Sequence, residues 1–334
     1  MLRWALIGSM MLASACSSSN GNDVPIDDDG GVDGSVEASL DDTGGVDASS
    51  DGAVDDVVVP DSLVPDSHAP DSVVVDSTAV DVAPEVGPTG GCGKPASSGV
   101  TTGSIIVAGT KRTYVLSIPS GYDPSKPLPL AFGFHGRTGD GASARSFTGV
   151  ETAAGGKAIF VYPDGLTVTP SNPKDTGWDL SAGGRDVALF DALVTELSRT
   201  LCVDSKKIYA FGFSFGGYMS NALGCARGKV LRAIAPVAGG PSTSGCTGAV
   251  AAWIEHADDD PTVNISEGTK SRDFWVKQSG CDATKSTKVP PDPCIAYAGC
   301  SVGAPVVWCE RTTGGHSWPI FAGAGIWNFY TSLP

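Results

Sequence analysis

From Gly91 to Pro334 the sequence keeps returning to one unit, a short apolar run followed by an amphipathic stretch. Arg112–Ile118 alternates like a half-buried strand. Leu128–Phe134, Ala158–Tyr162, Lys207–Phe213, Leu231–Ala238 and Val250–His256 are apolar runs that end in or next to Gly, Pro, His or Asp. Runs of that kind suit parallel strands covered on both faces. Helix-like stretches separate them, at about Ala142–Ala154, Asp186–Thr200, Phe215–Arg227 and Ser266–Gln278, and a strand near Pro305–Cys309 and a helix near Ala324–Thr331 close the chain. Strand alternating with helix over about 240 residues constrains this part to an α/β fold with a doubly wound, mostly parallel sheet. One domain over residues 91–334 is the economical reading.

The preceding segment cannot join that pattern. Ser17–Gly90 has no aromatic residue, 18 Asp and Glu, and no Lys or Arg. Asp recurs every five residues from Asp51 to Asp81, with Pro-Asp-Ser beginning at residues 60, 65 and 70. A period of five matches neither helix nor strand, so no apolar face can form. Repelling acids and prolines favour a solvated coil, and a disordered linker over residues 16–90 would span roughly 50 Å as a spacer. The formal charge of -15 belongs to this segment, because Gly91–Pro334 sets 19 acids against 21 Lys and Arg. Neither nucleic acid nor an acidic partner is indicated.

Residues 1–15 read as an export signal. Arg3 gives a positive start, and Trp4–Ala13 is apolar but too short to span a bilayer. Ala13-Ser14-Ala15 precedes Cys16, an arrangement that resembles the bacterial lipoprotein signal, in which the cysteine is acylated and becomes the first residue. That implies a lipid anchor at Cys16 and an extracellular or outer-membrane location; ordinary cleavage after Ala15 would instead release a soluble exported protein. The remaining eight cysteines, at 92, 202, 225, 246, 281, 294, 300 and 309, are even in number and include no CxxC pair. In an exported chain this points to disulfides, with no metal site expected.

The strongest chemical signal is Gly212-Phe213-Ser214-Phe215-Gly216-Gly217, which follows the strand candidate KIYAF and precedes the helix candidate YMSNALGCAR. GxSxG in that setting is a nucleophile elbow, a turn so tight that its flanks tolerate only small residues. It points the serine hydroxyl outward at a helix N-terminus, whose free N–H groups favour a developing oxyanion.

A serine needs a base, and the chain has four histidines. His68 lies in the acidic segment. His135 ends an early strand, in the loop that supplies an oxyanion N–H in this architecture. Of the two that follow Ser214, only His316 leaves room for an intervening acid in the order Ser, acid, His. The acid should come from Asp258-Asp259-Asp260, just after His256. One of the three must point at His316 to fix its tautomer, and the other two are expected as solvated loop charges. The oxyanion donors would be the backbone N–H groups of Phe215 and Arg137.

These residues resemble the feruloyl esterases of carbohydrate-esterase family one, related to secreted polyhydroxybutyrate depolymerases and acetylxylan esterases. The resemblance runs through GCGK at Gly91–Lys94, LSIPSGYD at Leu116–Asp123, GFHGR at Gly133–Arg137 and IFVYPDG at Ile159–Gly165. It continues in GGRDVALFDAL at Gly183–Leu193, LCVD at Leu201–Asp204, GFSFGGYMS at Gly212–Ser220, EHADDDPTVNIS at Glu255–Ser266 and YAGC at Tyr297–Cys300. It implies the α/β-hydrolase fold and selects Asp260 as the acid, four residues after His256. It further implies the pairs Cys92–Cys202, Cys225–Cys246 and Cys281–Cys300. Cys294 and Cys309, which the family mostly lacks, flank a hairpin candidate and would pair across it.

The expected function is that of a serine esterase releasing ferulate-type or acetyl groups from plant cell-wall polysaccharide through an acyl-enzyme on Ser214, with no cofactor. Trp178 and Trp318 are candidates for the pocket wall. A polyhydroxyalkanoate depolymerase or short-chain esterase is the alternative within the same fold. A non-catalytic carbohydrate-binding surface lipoprotein is the reading that an intact Ser, Asp and His argue against.

Overall fold

The computed structural model describes residues 90–242 and 245–334. The expected signal peptide, Cys16 and the acidic linker up to residue 89 lie outside the described residues.

Ten strands form one sheet. β1 (Gly99–Val107) and β2 (Thr110–Ile118) make an antiparallel hairpin at one edge, and β2 pairs antiparallel with β4 (Ile159–Pro163). Next to β4 lie β3 (Leu128–Phe134), β7 (Val203–Phe213), β8 (Ala233–Val237), β9 (Ala251–Ala257) and β12 (Val306–Arg311), all parallel. β11 (Cys294–Ala298) and β10 (Asp282–Lys288) close the other edge as antiparallel strands. β5 (Leu166–Thr167) and β6 (Thr176–Gly177) form a separate two-residue ladder.

The parallel strands are apolar on both faces because both faces are covered. On β3, Leu130, Phe132 and Phe134 enter one core while Ala131 enters the other; on β9, Ala252 and Ile254 oppose Ala251 and Trp253. α3 (Arg185–Thr200), α4 (Phe215–Ala226) and α5 (Ile265–Gln278) bury apolar stripes in the first core. α1 (Gly141–Thr148), α2 (Val150–Ala154) and α6 (Ala322–Ser332) cover the second. The doubly wound, mostly parallel α/β-hydrolase arrangement is therefore the fold.

Three departures from the sequence reading have local causes. The helix expected over Ala142–Ala154 breaks at Gly149, whose φ of 66° ends α1, and Asp140 starts α1 with a capping box to Ser143. β1 escapes the apolar pattern because it is a mostly exposed edge strand in which Thr, Ser and Gly interrupt Val100, Ile105, Ile106 and Val107. β7 begins at Val203, four residues before the expected run at Lys207, and the added residues Asp204, Ser205 and Lys206 are polar and not buried, so they carry no apolar signal.

A buried ion pair ties β2 to α3: Arg112 and Asp186 meet at 2.5 Å, and Asp186 also accepts the Asp179 N–H at 2.6 Å. The cysteines pair as Cys92–Cys202, Cys225–Cys246, Cys281–Cys300 and Cys294–Cys309. The last pair joins directly opposed positions on β11 and β12. Among the described residues no helix is long and apolar enough to cross a membrane.

Candidate active site

Ser214 stands between β7 and α4 with φ 55° and ψ -118°, a strained conformation for a residue with a Cβ. The surroundings enforce it. Ser214 N–H donates to Val237 O at 2.9 Å, and Ser214 O accepts from Tyr218 N–H at 3.1 Å. A Cβ on Gly216 would overlap the Phe134 carbonyl, and one on Gly212 would overlap the Gly216 carbonyl. The turn is thus compressed between β3 and its own helix, and only glycine fits at its flanks.

His316 lies in the irregular stretch between β12 and α6. Its Nε2 is 2.8 Å from Ser214 Oγ and its Nδ1 is 2.7 Å from Asp260 Oδ2. Asp260 is 6% exposed. Burial pushes its carboxyl up, but the bond to His316 and the backbone N–H groups of Val263 and Thr262 outweigh that and hold it below the ordinary carboxylate value. Those two N–H groups donate to Oδ1 at 2.9 and 2.8 Å. An ionised Asp260 can only accept, so Nδ1 of His316 carries the proton, and Nε2 is left to accept from the Ser214 hydroxyl.

Of the three consecutive acids, Asp260 is the one that meets His316. The expectation that the other two are merely solvated is corrected for Asp259, which is exposed but accepts from Gly314 N–H at 3.1 Å and Gly315 N–H at 2.7 Å. These bonds, Gly315 first, lower its pKa. A second hold on the same loop comes from Arg311 at the end of β12. Its guanidinium bonds buried Glu255 and donates to Ser317 O at 3.0 Å. Burial raises the Glu255 carboxyl to about 7 despite Arg311. His256, fully buried, donates Nε2–H to Val263 O at 2.7 Å and lies 3.5 Å from Asp260 Oδ2; burial keeps it neutral by lowering its pKa.

On the other side of Ser214 is the Gly136–Gly139 loop. A Cβ on Gly136 would sit 3.4 Å from Ser214 Cβ, so this backbone borders Ser214. Among the described residues, neither the Phe215 nor the Arg137 main-chain N–H donates to a protein acceptor. The loop is fastened below by His135, which donates from Nδ1 to Gly136 O at 2.6 Å and accepts Gly165 N–H on Nε2 at 2.8 Å. It is fastened outside by Thr138 N–H to Thr176 O at 2.9 Å and by the Arg137 guanidinium on Asp175 at 2.5 and 2.6 Å. Arg137 in turn drops the Asp175 carboxyl to about 2.

The two tryptophans part company. Trp178, expected in the pocket wall, is 3% exposed and lies beneath the site, edge-on to Phe134 and donating Nε1–H to His135 O at 2.9 Å. Its size and single polar handle suit a buried support for the Gly136 loop, which corrects the expectation. Trp318 is part-buried near His316, with Phe147 5.8 Å and Phe213 6.4 Å away; Phe213 in turn is 4.8 Å from the His316 ring. Phe147, 41% exposed, sits on α1, outside every motif of the sequence reading. Among the described residues, no group of three or more His, Cys, Asp or Glu could hold a metal ion.

No protein-family model matches the chain. Feruloyl esterase C of Emericella nidulans is 40% identical over 203 residues, covering 58% of this chain and 70% of that protein. A probable feruloyl esterase C of Aspergillus terreus is 35% identical over 264 residues, covering 72% and 93%. Among solved structures, the acetyl xylan esterase of Aspergillus awamori aligns with a TM-score of 0.56 at 16% identity, over 69% of this chain and 99% of that one. The feruloyl esterase module of Clostridium thermocellum aligns with a TM-score of 0.51 at 9% identity, over 74% and 92%. Both structural likenesses speak to the fold alone. The two sequence relatives decide the family, and the chain is an esterase belonging to the feruloyl esterases.

Proposed function

We propose that the protein is an exported serine esterase that releases aromatic acyl groups of the ferulate type, or acetyl groups, from plant cell-wall polysaccharide. The observation that carries this reading is the unbroken chain from Asp260 through His316 to Ser214, with bonds of 2.7 and 2.8 Å. As His316 Nε2 takes the hydroxyl proton, Ser214 Oγ bonds to the ester carbonyl carbon and the carbonyl oxygen becomes an anion facing the Phe215 and Arg137 N–H groups. Each such donor is worth about two to three orders of magnitude in rate. Collapse breaks the bond to the sugar oxygen, which leaves with the proton from His316. Water then adds to the acyl-enzyme by the same route in reverse roles, and the carboxylic acid departs.

The acyl side is supported by Phe147, Phe213 and Trp318, three rings at one edge of the triad that offer a flat aromatic acyl group stacking and edge contacts. Export is supported by four disulfides, which persist in oxidising compartments. Attachment through an acylated Cys16 belongs to the same proposal. A fluorophosphonate probe should label the protein on Ser214, and Ser214→Ala should lose both label and hydrolysis of methyl ferulate. Undiminished turnover by that variant would refute the mechanism. Faster turnover of a polyester oligomer than of methyl ferulate or acetylated xylan would move the substrate class to polyhydroxyalkanoates.

A further inference from the structure

We infer that Arg311 is a positioning residue for the reaction: held by buried Glu255, its guanidinium fixes the loop that presents His316 to Ser214. The inference rests on the triad reading above and adds a part to it.

The loop after β12 has no ladder or helix to hold it. Two glycines with positive φ, Gly314 at 128° and Gly315 at 59°, immediately precede His316. Inside the loop Ser317 N–H donates to Gly315 O at 2.9 Å and Ser317 Oγ to Gly314 O at 2.7 Å, bonds that curl the turn but do not tie it to the elements that carry Ser214 and Asp260. Asp259 restrains the loop from outside, but that carboxylate is exposed and screened by water. Arg311 acts from inside. Its side chain is 13% exposed and that of Glu255 is fully buried. From there the guanidinium reaches Ser317 O at 3.0 Å and Thr313 O at 3.4 Å, so one planar fork holds carbonyls on both sides of His316.

The pair is poorly suited to a purely stabilising role. Glu255 Oε2 is buried and has no hydrogen-bond partner among the described residues. A buried ion pair can often be replaced by apolar side chains without loss of stability. What apolar residues could not supply is a fixed fork of donors aimed at two loop carbonyls. Misplacing a reacting group by about 1 Å can cost about 100-fold in rate, which is the scale at which such a fork matters.

The test uses the full chain with a small soluble ester. Arg311→Lys keeps the charge but not the fork. It should lower kcat by about 10- to 100-fold with KM within about twofold, and slow fluorophosphonate labelling in proportion. Guanidinium ion at non-denaturing concentration should restore part of kcat in Arg311→Ala and none in Asp260→Asn. A kcat for Arg311→Lys within about twofold of the parent would overturn the inference, as would a loss no larger than the fall in folded fraction by urea titration. Absence of guanidinium rescue in soluble, folded Arg311→Ala would count against it too. Failure of the triad itself is read separately, as hydrolysis persisting in Ser214→Ala.

Discussion

Ser214 and His316 stand 2.8 Å apart at the same mouth, yet the chain holds them by different means. Ser214 is wedged. Its strained turn is closed by main-chain bonds to Val237 and Tyr218 and by the steric need for glycine at positions 212 and 216. His316 is suspended. Its loop hangs from side chains, with Asp259 on one flank, Arg311 with Glu255 on the other and Asp260 at the ring. The difference teaches where each half is vulnerable. A wedge fails by steric change and resists changes of charge, whereas a suspension fails when a carboxylate or guanidinium is removed or titrated.

The largest effect should come from the suspension's last link. Asp260→Asn removes the charge that fixes the imidazole tautomer, and kcat should fall about 10⁴-fold with the fold intact, as judged by near-UV circular dichroism and steady-state kinetics. For the wedge, Gly216→Ala should cost about 3 kcal/mol, because its methyl meets a main-chain carbonyl that cannot move aside. A fall in Tm of about 6–12 °C is expected, and a Tm equal to the parent's would show that the elbow has slack.

The third prediction concerns pH. The Glu255 carboxyl is raised to about 7 in the folded chain, chiefly by burial. Its folded state binds the proton more tightly than its unfolded state. The associated stability is therefore fully present below the ordinary glutamate value and is lost as pH rises toward 7. Relative to Glu255→Gln, the parent should lose about 3 kcal/mol across that window, read from urea midpoints between pH 4 and 8. Parallel curves for the two proteins would mean that Glu255 does not titrate there. The smallest effect is expected for Asp259→Asn. Its carboxylate is exposed, so kcat should fall no more than about tenfold, and less in high salt.

The wedge was largely legible in the sequence and the suspension was not. GFSFGG carries its own context, since the strand before it and the helix after it are read from the same twenty residues. Asp260 needed a family resemblance to separate it from its two neighbours, because three adjacent acids differ only in where a folded loop points them. Asp259 looked like a solvent charge because its partners, Gly314 and Gly315, lie more than fifty residues away. Arg311 gave no signal for the same reason. Trp178 shows the opposite error: a tryptophan in a loop reads as a wall, but only packing reveals that its N–H is spent on the His135 carbonyl under the site.

Cys92–Cys202 has a mechanical consequence. Gly91 bonds Ser198, and Cys92 is bolted to Cys202, one residue before β7 begins, while Ser214 follows the other end of that eleven-residue strand. Cys92 is thus held about 35 Å from Ser214, at the opposite end of β7. Tension applied through residue 91 would be taken up by a covalent bolt at the base of the central strand.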